Sequence, residues 1–171
     1  MSREKSGGSG AARQDSALRA ELGGEIQAGQ AAVDAFDEAV ALCLGVNRTD
    51  LRCLEILARE GSVTPSVLGT GLGLTTGSVT AMLDRLERAG HLTRSPDPGD
   101  RRKVVVRATP EVLARVAELY GPIVERGGRM IAGYSDEEVR VVLGFLRGSR
   151  ALYEAEIERV RGLPGAGRRR V

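Results

Sequence analysis

Residues 72–109 read LGLTTGSVTAMLDRLERAGHLTRSPDPGDRRKVVVRAT. Within this stretch Val79, Met82, Leu83 and Leu86 recur at short helical steps, the mark of one helix face turned to a core. Thr75 or Thr76 supplies the N-cap, and Gly90 stands where a left-handed C-terminal cap belongs. After Gly90 the pattern changes. An extended run at Leu92–Arg94 leads into a turn built from Ser95, Pro96, Asp97, Pro98, Gly99 and Asp100, and Arg102–Arg107 carries Val104, Val105 and Val106. Two strands around a tight loop fit this composition.

Working upstream, Thr49 and Asp50 predict the start of a helix bearing Leu51, Leu54 and Leu57, which stops before Gly61. Thr64 followed by Pro65 opens another, with Val67 and Leu68 inside and a break at Gly71–Leu74. Before these, Leu18, Leu22, Ile26, Val33, Phe36, Val40 and Leu44 line one face of a long first helix, and Gly23, Gly24 and Gly29 weaken it enough to require a partner surface. Downstream, Thr109 and Pro110 begin a helix carrying Leu113, Val116, Tyr120, Ile123 and Val124, with a bend expected at Gly121 and Pro122. Ser135 with Glu138 is a capping box for a last helix that ends before Gly162. The fold class is therefore mainly α with a small two-stranded β wing. Its expected organisation is a disordered tail over 1–15, an N-terminal helix over 16–47, a lobe over 48–109, C-terminal helices over 110–161 and a basic tail over 162–171.

The bulk properties agree with one main domain whose core is built from Leu, Val, Ile and Ala: 171 residues, 42 % hydrophobic, 3 % aromatic and no Trp. The net charge is only +2, so the distribution of charge, not its sum, must indicate a polyanionic partner. No apolar run approaches the roughly 20 residues of a membrane span and no signal-peptide pattern is present, which predicts a cytoplasmic protein with no membrane partner. Cys43 and Cys53 form no metal-ligand spacing with the single histidine, His91, and read as structural thiols; no metal or cofactor is expected. His91 has no supporting base or acid, and no phosphate-cradling glycine motif occurs, so an enzyme is not indicated.

Helix, helix, helix, then hairpin is the order of a winged helix-turn-helix, in which the second helix of the turn motif enters the DNA major groove. Thr75, Thr76, Ser78 and Thr80 are small hydroxyl residues near that helix's start, suited to close approach to DNA, and Arg85 has the reach for a phosphate or a guanine edge. By themselves these residues fit equally well as caps and a solvated face. The wing changes the balance: Asp100, Arg101, Arg102 and Lys103 place positive charge at a hairpin tip, where a guanidinium suits a minor groove and Asp100 can brace it by an ion pair.

The TTGSVT helix start, the DRLERAGHL helix end and the DPGDRR wing together resemble the DNA-binding core of the MarR (multiple antibiotic resistance regulator) family, with a weaker likeness over residues 16–161. The resemblance implies that Thr75, Thr76, Ser78, Thr80 and Arg85 lie in or beside the major groove of double-stranded DNA. It further implies that Asp100, Arg101 and Arg102 form the wing tip, with Arg102 in the minor groove, and that the first, fifth and sixth helices form an α-helical dimerisation region of a homodimer. A small aromatic or phenolic ligand bordered by Phe36, Leu44, Leu51, Cys53 and Met82 is compatible with it, although core packing explains each of those residues. Gly69, Gly71 and Gly73 depart from the family pattern and predict a less rigid helix before the reading helix. The expected function is a dimeric repressor of a pseudo-palindromic operator, released by a small-molecule ligand. Two other readings stay open on the residues: a winged-helix protein interaction module with little DNA affinity, and a regulator that senses oxidants through Cys43 or Cys53.

Overall fold

The computed structural model describes residues 8–163, which form α1 (Gly8–Leu44), α2 (Arg48–Glu60), α3 (Pro65–Leu72), α4 (Thr76–Arg88), β1 (Leu92–Pro96), β2 (Val104–Ala108), α5 (Pro110–Ile131) and α6 (Asp136–Arg161). The expected tails lie mostly outside the described residues. Helix α1 opens at Gly8, however, so residues 8–15, assigned to the tail on composition, are helical. Ala11, Ala12, Arg13 and Gln14 are good helix formers and continue a helix already nucleated downstream. None of the helices among the described residues is long and apolar enough to cross a membrane.

The chain divides into two compact units between Leu119 and Tyr120, inside α5. The first contains the core. Leu51, Leu54 and Leu57 of α2, Leu68 of α3, Val79, Met82, Leu83 and Leu86 of α4, and Leu92, Val105 and Val106 of the strands are all buried. The antiparallel hairpin runs from Leu92 opposite Ala108 to Pro96 opposite Val104. Val63, between α2 and α3, adds an antiparallel bridge to Val106 through both backbone bonds (3.2 and 2.8 Å), which ties the base of the hairpin to the helices. In the second unit α6 begins at the expected capping box, Ser135 with Glu138, and buries none of its residues. Helix α5 runs unbroken through Pro122, the site of the expected bend. Pro122 is exposed, so the Glu118 carbonyl that loses an amide partner there can be hydrated.

Three local details differ from the sequence reading. The N-cap of α2 is Asn47, whose side chain accepts the Asp50 amide at 2.9 Å, two residues before the expected Thr49. Asn in extended backbone caps at least as well as Thr, and the earlier start adds Arg48 and Thr49 to the first turn. Helix α3 continues through Gly69 and Gly71 and ends only at Gly73. At Gly69 a β-carbon would sit 3.3 Å from Cγ2 of Val79, so the glycine allows α3 to approach α4 closely. β2 starts at Val104, two residues later than expected, because Arg102 and Lys103 are taken up by the turn.

Gly90 adopts a φ of 73°, and the amides of Gly90 and His91 return to the Glu87 and Leu86 carbonyls at 3.0 and 2.9 Å, closing α4. A β-carbon added at Gly90 meets nothing within 4 Å, so only backbone strain opposes substitution. Gly90→Ala is therefore expected to lower the unfolding free energy by about 1–2 kcal/mol, measured by urea denaturation, without changing the far-UV circular dichroism of the folded protein.

Candidate nucleic-acid interface

Helix α4 is capped by Thr75, whose Oγ1 accepts the Ser78 amide at 3.3 Å and lies 2.9 Å from the Ser78 hydroxyl. Thr76 is the first helical residue and is exposed; Thr80, also exposed, donates its hydroxyl to the Thr76 carbonyl at 3.0 Å. Each bonded hydroxyl keeps acceptor capacity, so these contacts orient the groups without exhausting them. At 3.6 residues per turn, Arg85 is rotated from Thr80 by roughly 140° about the helix axis. Ser78 and Arg85, seven apart, share the other flank.

That flank borders a cleft of about 610 Å³ lined by Glu38 of α1, Asn47, Arg48 and Thr49 at the start of α2, Leu74, and Ser78, Ala81, Met82 and Arg85. Arg85, expected from the sequence to lie in or beside the major groove, bonds Asp50 in this structure: its Nε donates to one carboxylate oxygen at 2.8 Å and its Nη2 to the other at 2.5 Å. Asp50 is only 1 % exposed, whereas the Arg85 side chain is 47 % exposed. The hydrogen bond to Asp50 raises the Arg85 pKa above its ordinary value, holding the guanidinium in its charged form. Of the five residues expected to border a ligand pocket, only Met82 lines this cleft; Leu44, Leu51 and Cys53 are buried in the core and Phe36 is half-buried.

On the opposite flank α4 meets the wing. Arg94 of β1 donates from Nη2 to Asp84 at 2.6 Å, and its Nε lies 3.5 Å from Glu87. Two aspartates shape the wing loop itself. Asp97 Oδ1 accepts the Gly99 and Asp100 amides at 2.7 and 3.1 Å, and Asp100 Oδ1 accepts the Arg102 amide at 3.1 Å and its Nε at 3.3 Å. Lys103 approaches Asp100 at 3.9 Å. Arg101 is exposed, and the Arg102 side chain is 92 % exposed. The loop end of β2 borders a second cleft of about 480 Å³, lined by Lys103 and Val104 together with Thr64, Pro65 and Ser66 at the start of α3.

The structure thus separates the expected reading residues. Thr76 and Thr80 stand on the open face, Ser78 and Arg85 on the cleft side, and Asp100 with Arg102 at the wing tip. Asp50 and Arg94 carry no distinctive signal in the sequence; Asp50 reads there as a favourable charge in a first turn, and its partner lies 35 residues away.

A MarR-family model matches residues 46–104, the span from the start of α2 to the wing. An HTH-type transcriptional regulator of Bacillus subtilis, YcgE, is 37 % identical over 126 residues, which cover 74 % of this chain and 82 % of that protein. This chain belongs to the MarR family. It is a DNA-binding transcription regulator and not an enzyme. Among solved structures, wild-type MarR from E. coli aligns with a TM-score of 0.53 at 24 % identity over 75 % of this chain and 95 % of that one. NadR in complex with 4-hydroxyphenylacetate aligns with a TM-score of 0.55 at 22 % identity over 86 % and 94 %. These two support the winged-helix fold.

The two thiols of this MarR-family chain differ sharply. Burial, reinforced by the Asp50 carboxylate, pushes Cys53 up to about 12, whereas Cys43 is exposed. A thiol whose pKa is raised this far carries almost no thiolate at neutral pH. A thiol-reactive chromogenic disulfide at near-neutral pH is expected to label Cys43 in the native protein and Cys53 only after denaturation, as read by mass spectrometry; rapid native labelling of Cys53 would contradict its burial.

Proposed function

We propose that this MarR-family chain acts as a homodimeric repressor of a pseudo-palindromic operator in double-stranded DNA. In this reading the open face of α4 enters the major groove and Arg102 enters the adjacent minor groove. The observation that carries it is the wing tip: the Asp100 carboxylate holds the Arg102 backbone and guanidinium together at the end of a hairpin while leaving 92 % of the side chain exposed. A cation fixed in direction before it meets its partner loses less entropy on binding than a free one, and a narrow minor groove attracts a guanidinium strongly.

Dimerisation is supported by the apolar side chains that α6 leaves uncovered. Leu143, Phe145, Leu146, Leu152, Ile157 and Val160 are 41–62 % exposed. An apolar face of this kind marks an interaction surface, and a two-fold dimer would present two α4 helices to half-sites about 10 base pairs apart. Repression needs only occupancy of the promoter by such a dimer. Release by a small aromatic or phenolic ligand is supported by the cleft beside α4, which contacts both α1 and the reading helix, and by the 4-hydroxyphenylacetate bound to NadR.

Sequencing genomic fragments captured by the purified protein, followed by binding titrations on the recovered site, tests this function. Arg102→Ala is expected to weaken operator binding and to reduce the slope of log affinity against log salt by about 1, with unchanged thermal stability, and sedimentation is expected to give a dimer. Operator affinity insensitive to salt, or undetectable, would favour a protein interaction module instead.

A further inference from the structure

Helix α4 carries two charged contacts on opposite flanks. Asp84 and Glu87 meet Arg94 of the wing, and Arg85 meets Asp50 of α2. Both Asp50 oxygens and two Arg85 nitrogens are consumed in a fork, which fixes the plane of the guanidinium as well as its distance. Asp50 is 1 % exposed and its backbone amide is held by Asn47, so the carboxylate projects from a fixed point on α2 into packed surroundings. Apolar packing of Val79, Met82, Leu83 and Leu86 sets how close α4 lies to the core but is non-directional. A fork on one flank and an ion pair on the other oppose rotation of α4 about its own axis. That rotation decides where Thr76 and Thr80 point.

We propose that Asp50 and Arg85 are positioning residues for operator recognition: the fork sets the rotation of α4 so that Thr76 and Thr80 meet base edges, and Arg85 acts through Asp50, not on DNA. This rests on the reading of α4 as the major-groove helix. The two roles of Arg85 differ in their consequences for Asp50. If Arg85 served DNA directly, Asp50 would only weaken it, and removing a negative charge from the DNA-binding lobe would strengthen binding of any duplex. If the fork positions α4, removing that same charge weakens the operator selectively.

The test uses the full chain, a duplex carrying the site recovered by genomic capture, and a scrambled duplex of the same length, titrated by fluorescence anisotropy over a range of potassium chloride concentrations. Asp50→Asn is expected to reduce operator affinity roughly tenfold, the scale of a mismatched base pair, while scrambled-duplex affinity stays the same or rises. The salt slope on the operator is expected to stay at the wild-type value, and Asp50→Asn combined with Arg85→Ala is expected to bind the operator no worse than Arg85→Ala alone. Arg85→Lys, which keeps the charge and loses the fork, is expected to lose operator preference in the same way and serves where Asp50→Asn does not fold. Folded fraction is checked by thermal melting and by stoichiometric titration. Wild-type operator affinity in Asp50→Asn, or a salt slope that falls by about 1 in Arg85→Ala, would overturn the proposal and make Arg85 a phosphate contact. A wild-type protein that does not discriminate the recovered site from the scrambled duplex would overturn the underlying reading of α4 instead.

Discussion

The arrangement of the helices in the first unit depends on one desolvated carboxylate. Asp50 lies in the first turn of α2, where the dipole and the free amides of the helix favour a negative charge, but those do not compensate for near-complete removal from water. The Arg85 fork supplies the rest, and in doing so joins α2 to α4. Breaking a fully buried pair by removing one partner costs about 3–5 kcal/mol; here the figure is smaller, because 47 % of the Arg85 side chain remains in water and screens the charge. The same carboxylate adds to the burial that keeps Cys53 a neutral thiol, so it governs chemistry on α2 as well as geometry on α4.

Around this constraint the lobe divides its labour. Distances between elements are set by aliphatic contacts and by one permissive position, Gly69, which brings α3 onto Val79. Directions are set by polar contacts: Asn47 on the Asp50 amide, Arg94 on Asp84, Thr109 Oγ1 on the Gly90 carbonyl at 2.9 Å where the wing returns to α5. The wing tip belongs to a third kind. Asp97 and Asp100 accept from amides two or three residues ahead, so the loop takes its shape from bonds within its own sequence.

That distinction explains how much of the molecule is legible in its sequence. Helix periods, the Ser135 capping box, the Gly90 closure and the Asp100 brace are local, with partners within a few residues, and each can be read from its neighbours along the chain. The fold follows from their order. The roles of Asp50, Arg85 and Arg94 are not legible in this way, because a charged residue on a helix or strand gives the same local signal whether it faces solvent, DNA or a carboxylate brought near by tertiary packing. Ser78 groups with Thr76 and Thr80 by chemistry, and only the helix rotation separates it from them. The apolar residues expected at a ligand pocket are ambiguous for a related reason: Leu51 and Cys53 have the composition of a pocket lining and of a core, and in this structure both are fully buried.

Charge accounting brings these points together. A net charge of +2 gives weak long-range attraction to a polyanion, and the lobe places several acids close to its reading elements, among them Asp84, Glu87 and Asp100. In isolation these would repel phosphates. Two of them instead accept from an arginine whose direction they fix, Asp84 from Arg94 and Asp100 from Arg102, while Glu87 lies 3.5 Å from the Arg94 Nε as a charge neighbour. The acids thus lower the free positive charge of the unit while giving direction to Arg102, which remains exposed, and to Arg94, which is mostly covered. Charge of this kind is traded for orientation: each acid lowers the free positive charge of the unit, and what it returns is a cation held in one direction, the form in which charge contributes to specificity more than to raw affinity.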